Sequence, residues 1–135
     1  MIIELINNNH TPIIADNLIN SKIEVLDKLH QITGIKPTFN QIDVTDKAKV
    51  EAIFSSRKID GVIHFAGLKA VEESLSKPLE YYNNNLVSTM VLSKKCVVNK
   101  FVFSSSATVY GGQPSPLKED MGLKKTTIHM VRLRP

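Results

Sequence analysis

The stretch DGVIHFAG, Asp60 to Gly67, decides how the rest of the chain is read. Val62, Ile63, Phe65 and Ala66 stand on both sides of one histidine with no polar alternation. A strand with one face in water alternates apolar and polar side chains, whereas a run apolar at successive positions belongs to a strand covered on both faces, the habit of parallel sheets. The stretch KFVFSSS, Lys100 to Ser106, has the same character and ends in three hydroxyls. Upstream, TPIIADN (Thr11 to Asn17) is a short apolar run closed by turn-forming residues, and PTFNQIDV (Pro37 to Val44) reads as a further strand.

Helical signals lie between these strands. Ser21 and Glu24 have the spacing of a capping box ahead of Ile23, Leu26, Leu29 and Ile32, with Gly34 and Pro37 marking the stop. Asp46 is placed to cap a second helix whose face is Val50, Ile53 and Phe54. Pro78, at a first helical position, opens a long helix with Leu79, Tyr82, Leu86 and Met90 along one stripe. Strands alternating with helices predict an α/β class, a doubly wound parallel sheet. Ligands of such sheets bind beyond the carboxyl ends of the strands, where Asp16, Asp43, Ala66, Gly67 and Ser104 to Ser106 fall.

The bulk numbers fit one domain. With 135 residues, 42% of them hydrophobic, the chain can bury a sizeable core. Its apolar runs fall far short of the ~18 residues of a membrane span. The opening MIIELINNNH has an early acid and no basic start, unlike a signal peptide, so a soluble, cytoplasmic protein is the expectation. The single Cys96 excludes an internal disulfide and cannot hold a metal alone; it reads as a small buried hydrophobe near a helix end. The net charge of +4 is not spread evenly: residues 1–93 carry 9 basic and 11 acidic side chains, and residues 94–135 carry 8 and 2. That basic tail has no interleaved aromatics and no nucleic-acid module, so no nucleic-acid partner is expected.

Four segments, ADNLINSK, IDGVIHFAGLKAV, KPLEYYNNN and KFVFSSSATVYG, closely resemble the UDP-glucose 4-epimerase family of the extended short-chain dehydrogenase/reductase superfamily. The resemblance covers nearly the whole chain. It implies a Rossmann-like fold, a permanently held NAD, and a UDP-hexose substrate. In such enzymes a hydride leaves C4 of the sugar, the 4-keto intermediate turns over, and the hydride returns to the other face. Members are often homodimers and serve galactose metabolism.

Carried onto this sequence, the resemblance implies that Asp16 binds the adenosine ribose hydroxyls, that Asn17, Asn20 and Ser21 line the same pocket, and that Asp43 and Val44 flank the adenine. Phe65, Ala66 and Gly67 would lie against the cofactor, Lys69 and Asn84 at the nicotinamide ribose or the sugar, and Ser104 on the cofactor side. Ser106 would hydrogen-bond the sugar 4-hydroxyl and relay its proton, the one catalytic residue of the family pattern present. Read without the resemblance, Asp16 and Ser21 suit turn and cap chemistry, Lys69 a solvated loop, the three asparagines a surface turn, and the serines a turn start. His64 reads as a core or helix-facing histidine rather than a catalyst.

Two family features have no counterpart in the sequence. The six glycines form no G-x-x-G-x-x-G or G-x-G-x-x-G array, whose backbone N–H groups would cradle a pyrophosphate. MIIELINNNH resembles the second half of the helix after such a turn, so the strand preceding it, central in the usual order, is expected to be missing. Nor is there a Tyr-x-x-x-Lys: Tyr81, Tyr82 and Tyr110 are followed four residues on by Asn85, Leu86 and Pro114. The ending admits a frame explanation. If Ile128 to Arg134 are encoded ATC CAT ATG GTA AGA CTA AGA, one added A before them yields N-P-Y-G-K-T-K, matching the family's NPYGxTK. The expected organisation is therefore a partial NAD-binding Rossmann domain over 1–112 and a frameshifted tail over 113–135, with no substrate domain. Such a chain is expected to fold poorly and to lack turnover. The readings left open are a non-catalytic nucleotide-binding or interaction fragment, and another NAD-dependent epimerase or dehydratase.

Overall fold

A computed structural model describes residues 1–95 and 100–122 of the chain. The elements run α1 (Ile2–Asn7), β1 (Ile13–Asp16), α2 (Val25–Thr33), β2 (Thr38–Gln41), α3 (Lys47–Ser56), β3 (Val62–His64), α4 (Val71–Ser76), α5 (Pro78–Lys95) and β4 (Phe101–Phe103), followed by a 3-10 turn, Ala107–Tyr110. All four expected strands form, each joined to the next by helix, as the apolar runs require.

The strands pair in parallel as two separate ribbons. β1 lies beside β2 with Ile13 opposite Thr38 and Asp16 opposite Gln41, and β3 lies beside β4 with Val62 opposite Phe101 and His64 opposite Phe103. Both ladders extend one bond past the strands, Ile42 N to Asp16 O at 3.1 Å and Ser104 N to His64 O at 3.1 Å. Gly61 starts β3 close against its neighbour: a Cβ there would lie 3.2 Å from the Lys100 carbonyl oxygen. In a doubly wound sheet of order 3-2-1-4-5, these two ribbons occupy the places on either side of the first strand. Among the described residues no strand joins them, so the sheet is an incomplete doubly wound one.

Helix ends follow the local chemistry in two places and depart from it in one. Asp46 caps α3, its Oδ1 accepting from Ala48 N at 3.1 Å and Lys49 N at 3.2 Å. Gly34 closes α2 in the left-handed conformation, φ +71°, where a side chain would be strained. The Ser21–Glu24 capping box does not form: α2 begins at Val25 with Glu24 in the N-cap position and no side-chain cap, and Ser21, which precedes that position, donates its Oγ hydrogen to Asp16 Oδ1 at 2.6 Å.

The long helix buries a different face from the one its large aliphatics mark. Tyr81, Ser88 and Leu92 are buried, whereas Leu79, Leu86 and Met90 are exposed. The reason is the neighbours: α5 packs against α3 and α4. The strand Phe101–Phe103 is likewise not fully buried, since Val102 is 56% and Phe103 38% exposed. Val50 of α3 is buried as expected, and with Ile6, Tyr81 and Leu92 it makes up the apolar core of the described residues. Cys96 and the segment 128–134 lie outside the described residues.

Candidate functional site

The carboxyl ends of β1, β2 and β3 converge on one pocket. It is lined by Asp16, Asn17 and Asn20 after β1, by Asp43 and Val44 after β2, by Ala66 and Gly67 after β3, and by Asn84 of α5. Eight residues singled out in the sequence thus meet at one place, contributed by both ribbons. Ala15, Ile19, Ile42 and Leu68 complete the lining. These four carried no signal of their own, being apolar neighbours of the polar residues.

The turn after β1 is built by its own side chains. Asp16 Oδ1 accepts from Leu18 N at 2.7 Å and from Ser21 Oγ at 2.6 Å, and Asn17 Oδ1 accepts from Ile19 N at 3.1 Å. These two successive bonds hold Leu18 at φ +60°, a left-handed conformation that a leucine adopts only at a cost. Oδ1 of Asp16 is therefore committed to the turn, while Oδ2 has no partner among the described residues. A carboxylate fixed in this way can accept from a hydroxyl at the second oxygen without first being ordered. Ser21 reaches the site through this bond to Asp16.

Asp43 is held differently. Its Oδ1 accepts from Thr45 N at 2.8 Å and Thr45 Oγ1 at 2.7 Å, and its Oδ2 from Asn17 Nδ2 at 3.3 Å. The Thr45 amide and hydroxyl, then Asn17 and the charge of Lys49, hold its pKa below the ordinary carboxylate value against the opposing effect of burial. Asp43 thus ties the β1 and β2 loops together as well as lining the pocket.

The remaining expected residues stand apart from this lining. Phe65 is 59% exposed, and Lys69 is exposed on the loop before α4. Ser104 and Ser106 are half-buried at the end of β4, where the Ser106 carbonyl accepts from Val109 N at 3.2 Å. His64 is the expected core histidine: it is 3% exposed, its Nε2 lies 3.1 Å from Thr89 Oγ1, and Phe101 and Phe103 flank its ring. Burial lowers its pKa. The Thr89 hydroxyl donates to the Asn85 carbonyl at 2.8 Å, so the proton between Thr89 and His64 belongs to Nε2.

Residues 1–130 match the NAD dependent epimerase/dehydratase family. The chain belongs to that family. Within it, the chain is 49% identical over 115 residues to the UDP-glucose 4-epimerase of Yersinia pestis, covering 83% of this chain and 34% of that protein. It is 47% identical over 128 residues to the Bacillus subtilis UDP-glucose 4-epimerase, covering 92% and 38%. The crystal structure of UDP-glucose 4-epimerase from Bifidobacterium longum, in complex with NAD+ and UDP, matches with a TM-score of 0.90 and 46% identity over 96% of this chain and 40% of that one. This epimerase-family chain therefore spans two fifths or less of the length of these relatives. Its fold is the Rossmann type of the epimerases, and the family depends on NAD.

The donor set of this family member fits one part of that cofactor. An acidic side chain with an uncommitted oxygen, asparagine amides and small residues at strand ends suit a ribose and its base. No glycine array is present to cradle a pyrophosphate, and no Tyr-x-x-x-Lys to move a proton at the sugar. Among the described residues no helix is long and apolar enough to cross a membrane, and no cluster of metal-ligating side chains occurs.

Proposed function

We propose that the chain is the adenosine-binding portion of a UDP-glucose 4-epimerase, the enzyme class that interconverts UDP-galactose and UDP-glucose through a 4-keto intermediate on bound NAD. The observation that carries this reading is the single pocket to which β1, β2 and β3 each bring polar or small residues, in a chain 47% identical to such an enzyme over 128 residues. Asp16 accepts the ribose hydroxyls through Oδ2, Asn17, Asn20 and Ser21 shape the turn around them, and Asp43 and Val44 border the adenine. Ala66 and Gly67 admit the cofactor backbone, with Phe65 beside them. Asn84 borders the same pocket at its nicotinamide side, while Lys69, Ser104 and Ser106 belong to the nicotinamide and hexose side, where Ser106 would hand on the 4-hydroxyl proton.

NAD supplies the hydride acceptor when bound, and this chain's own residues do the holding. Chemistry needs more than they offer. A general base contributes ~10²–10⁴ in rate, and phosphate binding at a glycine turn draws on several backbone N–H groups and a helix dipole. The 135-residue chain alone is therefore without turnover. Residues 1–112 act as a partial NAD-binding domain and 113–135 as a tail without a catalytic part. The test is a coupled assay of UDP-galactose conversion by the purified chain, with added NAD. No rate above the blank is expected, and conversion at enzymatic rates would contradict the reading. Interaction through an open sheet edge is a second reading, favoured by the two unjoined ribbons. It predicts self-association that NAD does not alter, measurable by sedimentation.

A further inference from the structure

Asn85 follows the pocket residue Asn84 on α5 but does not line the pocket. Both of its polar atoms go to one residue of the loop after β3. The Leu68 amide donates to Asn85 Oδ1 at 2.8 Å, and Asn85 Nδ2 donates to the Leu68 carbonyl at 3.0 Å. This is the pair of bonds that a residue of a neighbouring antiparallel strand would exchange, supplied by a side chain to a backbone that has already left the sheet. A carboxamide can do this because it carries a donor and an acceptor side by side.

Four further contacts make the arrangement specific. Asn84 Nδ2 donates to the same Asn85 Oδ1 at 3.0 Å, which ties the amide of this pocket-lining residue to the same group. Gly67 passes directly beneath: a Cβ at that position would lie 3.3 Å from Asn85 Oδ1, tighter than ordinary contact. Asn85 is itself steadied from its own helix, its carbonyl accepting from Thr89 Oγ1 at 2.8 Å and Ser88 Oγ at 3.2 Å.

The geometry points to Asn85 as a positioning residue for nucleotide binding, one that fixes the Gly67–Leu68 backbone and orients Asn84 without touching the ligand. This inference rests on the adenosine-pocket reading and deepens it. A residue needed only for the fold would lower stability and leave the affinity of the folded fraction alone. A positioning residue changes affinity in molecules that remain folded.

The experiment combines residue-resolved amide exchange with NAD titration on the full chain, at about 15 °C where stability curves peak. In the wild type the Leu68 amide is protected. Asn85→Ala speeds its exchange at least about tenfold and weakens NAD binding about tenfold, while the amides of β1 and β2 exchange as before. Gly67→Ala, which pushes Asn85 aside, speeds Leu68 exchange too, and the double variant goes no further than Asn85→Ala alone. If Asn85→Ala does not fold, Asn85→Asp replaces it, since the carboxylate keeps the bond from Leu68 N and loses the one to Leu68 O; weakened NAD binding is again expected. Equal NAD affinity in wild type and variant, or Leu68 exchange that ignores Asn85, overturns the inference. A wild-type chain that binds no NAD, with Leu68 protection still dependent on Asn85, overturns the pocket reading and the nucleotide role together while leaving the clamp itself in place.

Discussion

His64 shows how much a single buried side chain dictates. Flanked by Phe101 and Phe103 and bonded to Thr89, it has its pKa lowered by burial, which favours the uncharged ring. The unfolded chain takes up a proton below about pH 6.5 that the folded chain refuses, so His64 supports full stability above that pH and withdraws it as pH falls toward the lowered folded value. Thermal melts should therefore drop between about pH 7 and pH 5, and His64→Gln should flatten that segment of the profile. Asp43 acts with the same sign in a more acidic window, below about pH 4, because its folded pKa is also lowered. Melts of Asp43→Asn should lose the steep acid limb there. At Leu18, the left-handed backbone opposes the side chain's own burial. Relief of about 1–2 kcal/mol in Leu18→Gly should offset much of what the lost half-buried leucine costs, leaving urea midpoints close to wild type. The sequence showed Asp16 and Asn17 as turn formers at the carboxyl end of a strand and Asp43 at the same end of the next, where the structure places all three in one pocket lining. It did not show Asn85, whose partner is a backbone seventeen positions away. Nothing in the run NNN tells the asparagine that lines the pocket from the one that holds a loop.

Among the elements, strand positions were legible and packed faces were less so. Continuous apolar runs mark parallel strands wherever the chain places them, and Asp46, Gly34 and Pro78 mark helix ends through chemistry that needs no tertiary partner. The face that a helix buries depends on what lies opposite. On α5 the buried positions are Tyr81, Ser88 and Leu92, so hydrophobicity alone pointed to the wrong stripe. Ser21 failed as a cap for a similar reason, since the helix starts at Val25 with Glu24 in the cap position and the Ser21 hydroxyl serves the preceding turn by donating to Asp16. The corner between α4 and α5 is closed by Tyr81 Oη donating to Glu73 Oε2 at 2.7 Å, with Lys77 Nζ 3.4 Å from Glu73 Oε1. Tyr81→Phe removes the hydroxyl bond, and a loss of about 1 kcal/mol is expected in urea unfolding. Val50→Ala, at a position 2% exposed, should cost roughly 2 kcal/mol by removing two buried carbons and leaving a cavity. A larger loss from Tyr81→Phe than from Val50→Ala would mean that the corner, not the α3–α5 contact, holds the helices together.

The molecule as a whole combines a pocket at its strand ends with a thin interior. Ile6, Val50, Tyr81 and Leu92 form the buried hydrophobic core of the described residues, with Pro37 buried as well, and the two ribbons share no ladder. Intact domains keep margins of ~5–15 kcal/mol, and this chain should fall below that range, with a broad, low melt that NAD raises. The doubly wound class could be read from the order of strands and helices. The break between the ribbons could be anticipated only by noticing which strand the sequence does not offer. The composition of the tail is tested at the nucleotide level: codons for Ile128 to Arg134 that cannot be reread as NPYGKTK would remove the frame explanation. The central claim, an adenosine site kept without the phosphate cradle and the proton relay, is tested most directly by calorimetric titration of the purified chain and Asp16→Asn with ADP-ribose. Saturable binding to the wild type, weakened about tenfold or more in Asp16→Asn, is the result predicted. No binding, or equal binding by both proteins, would contradict it.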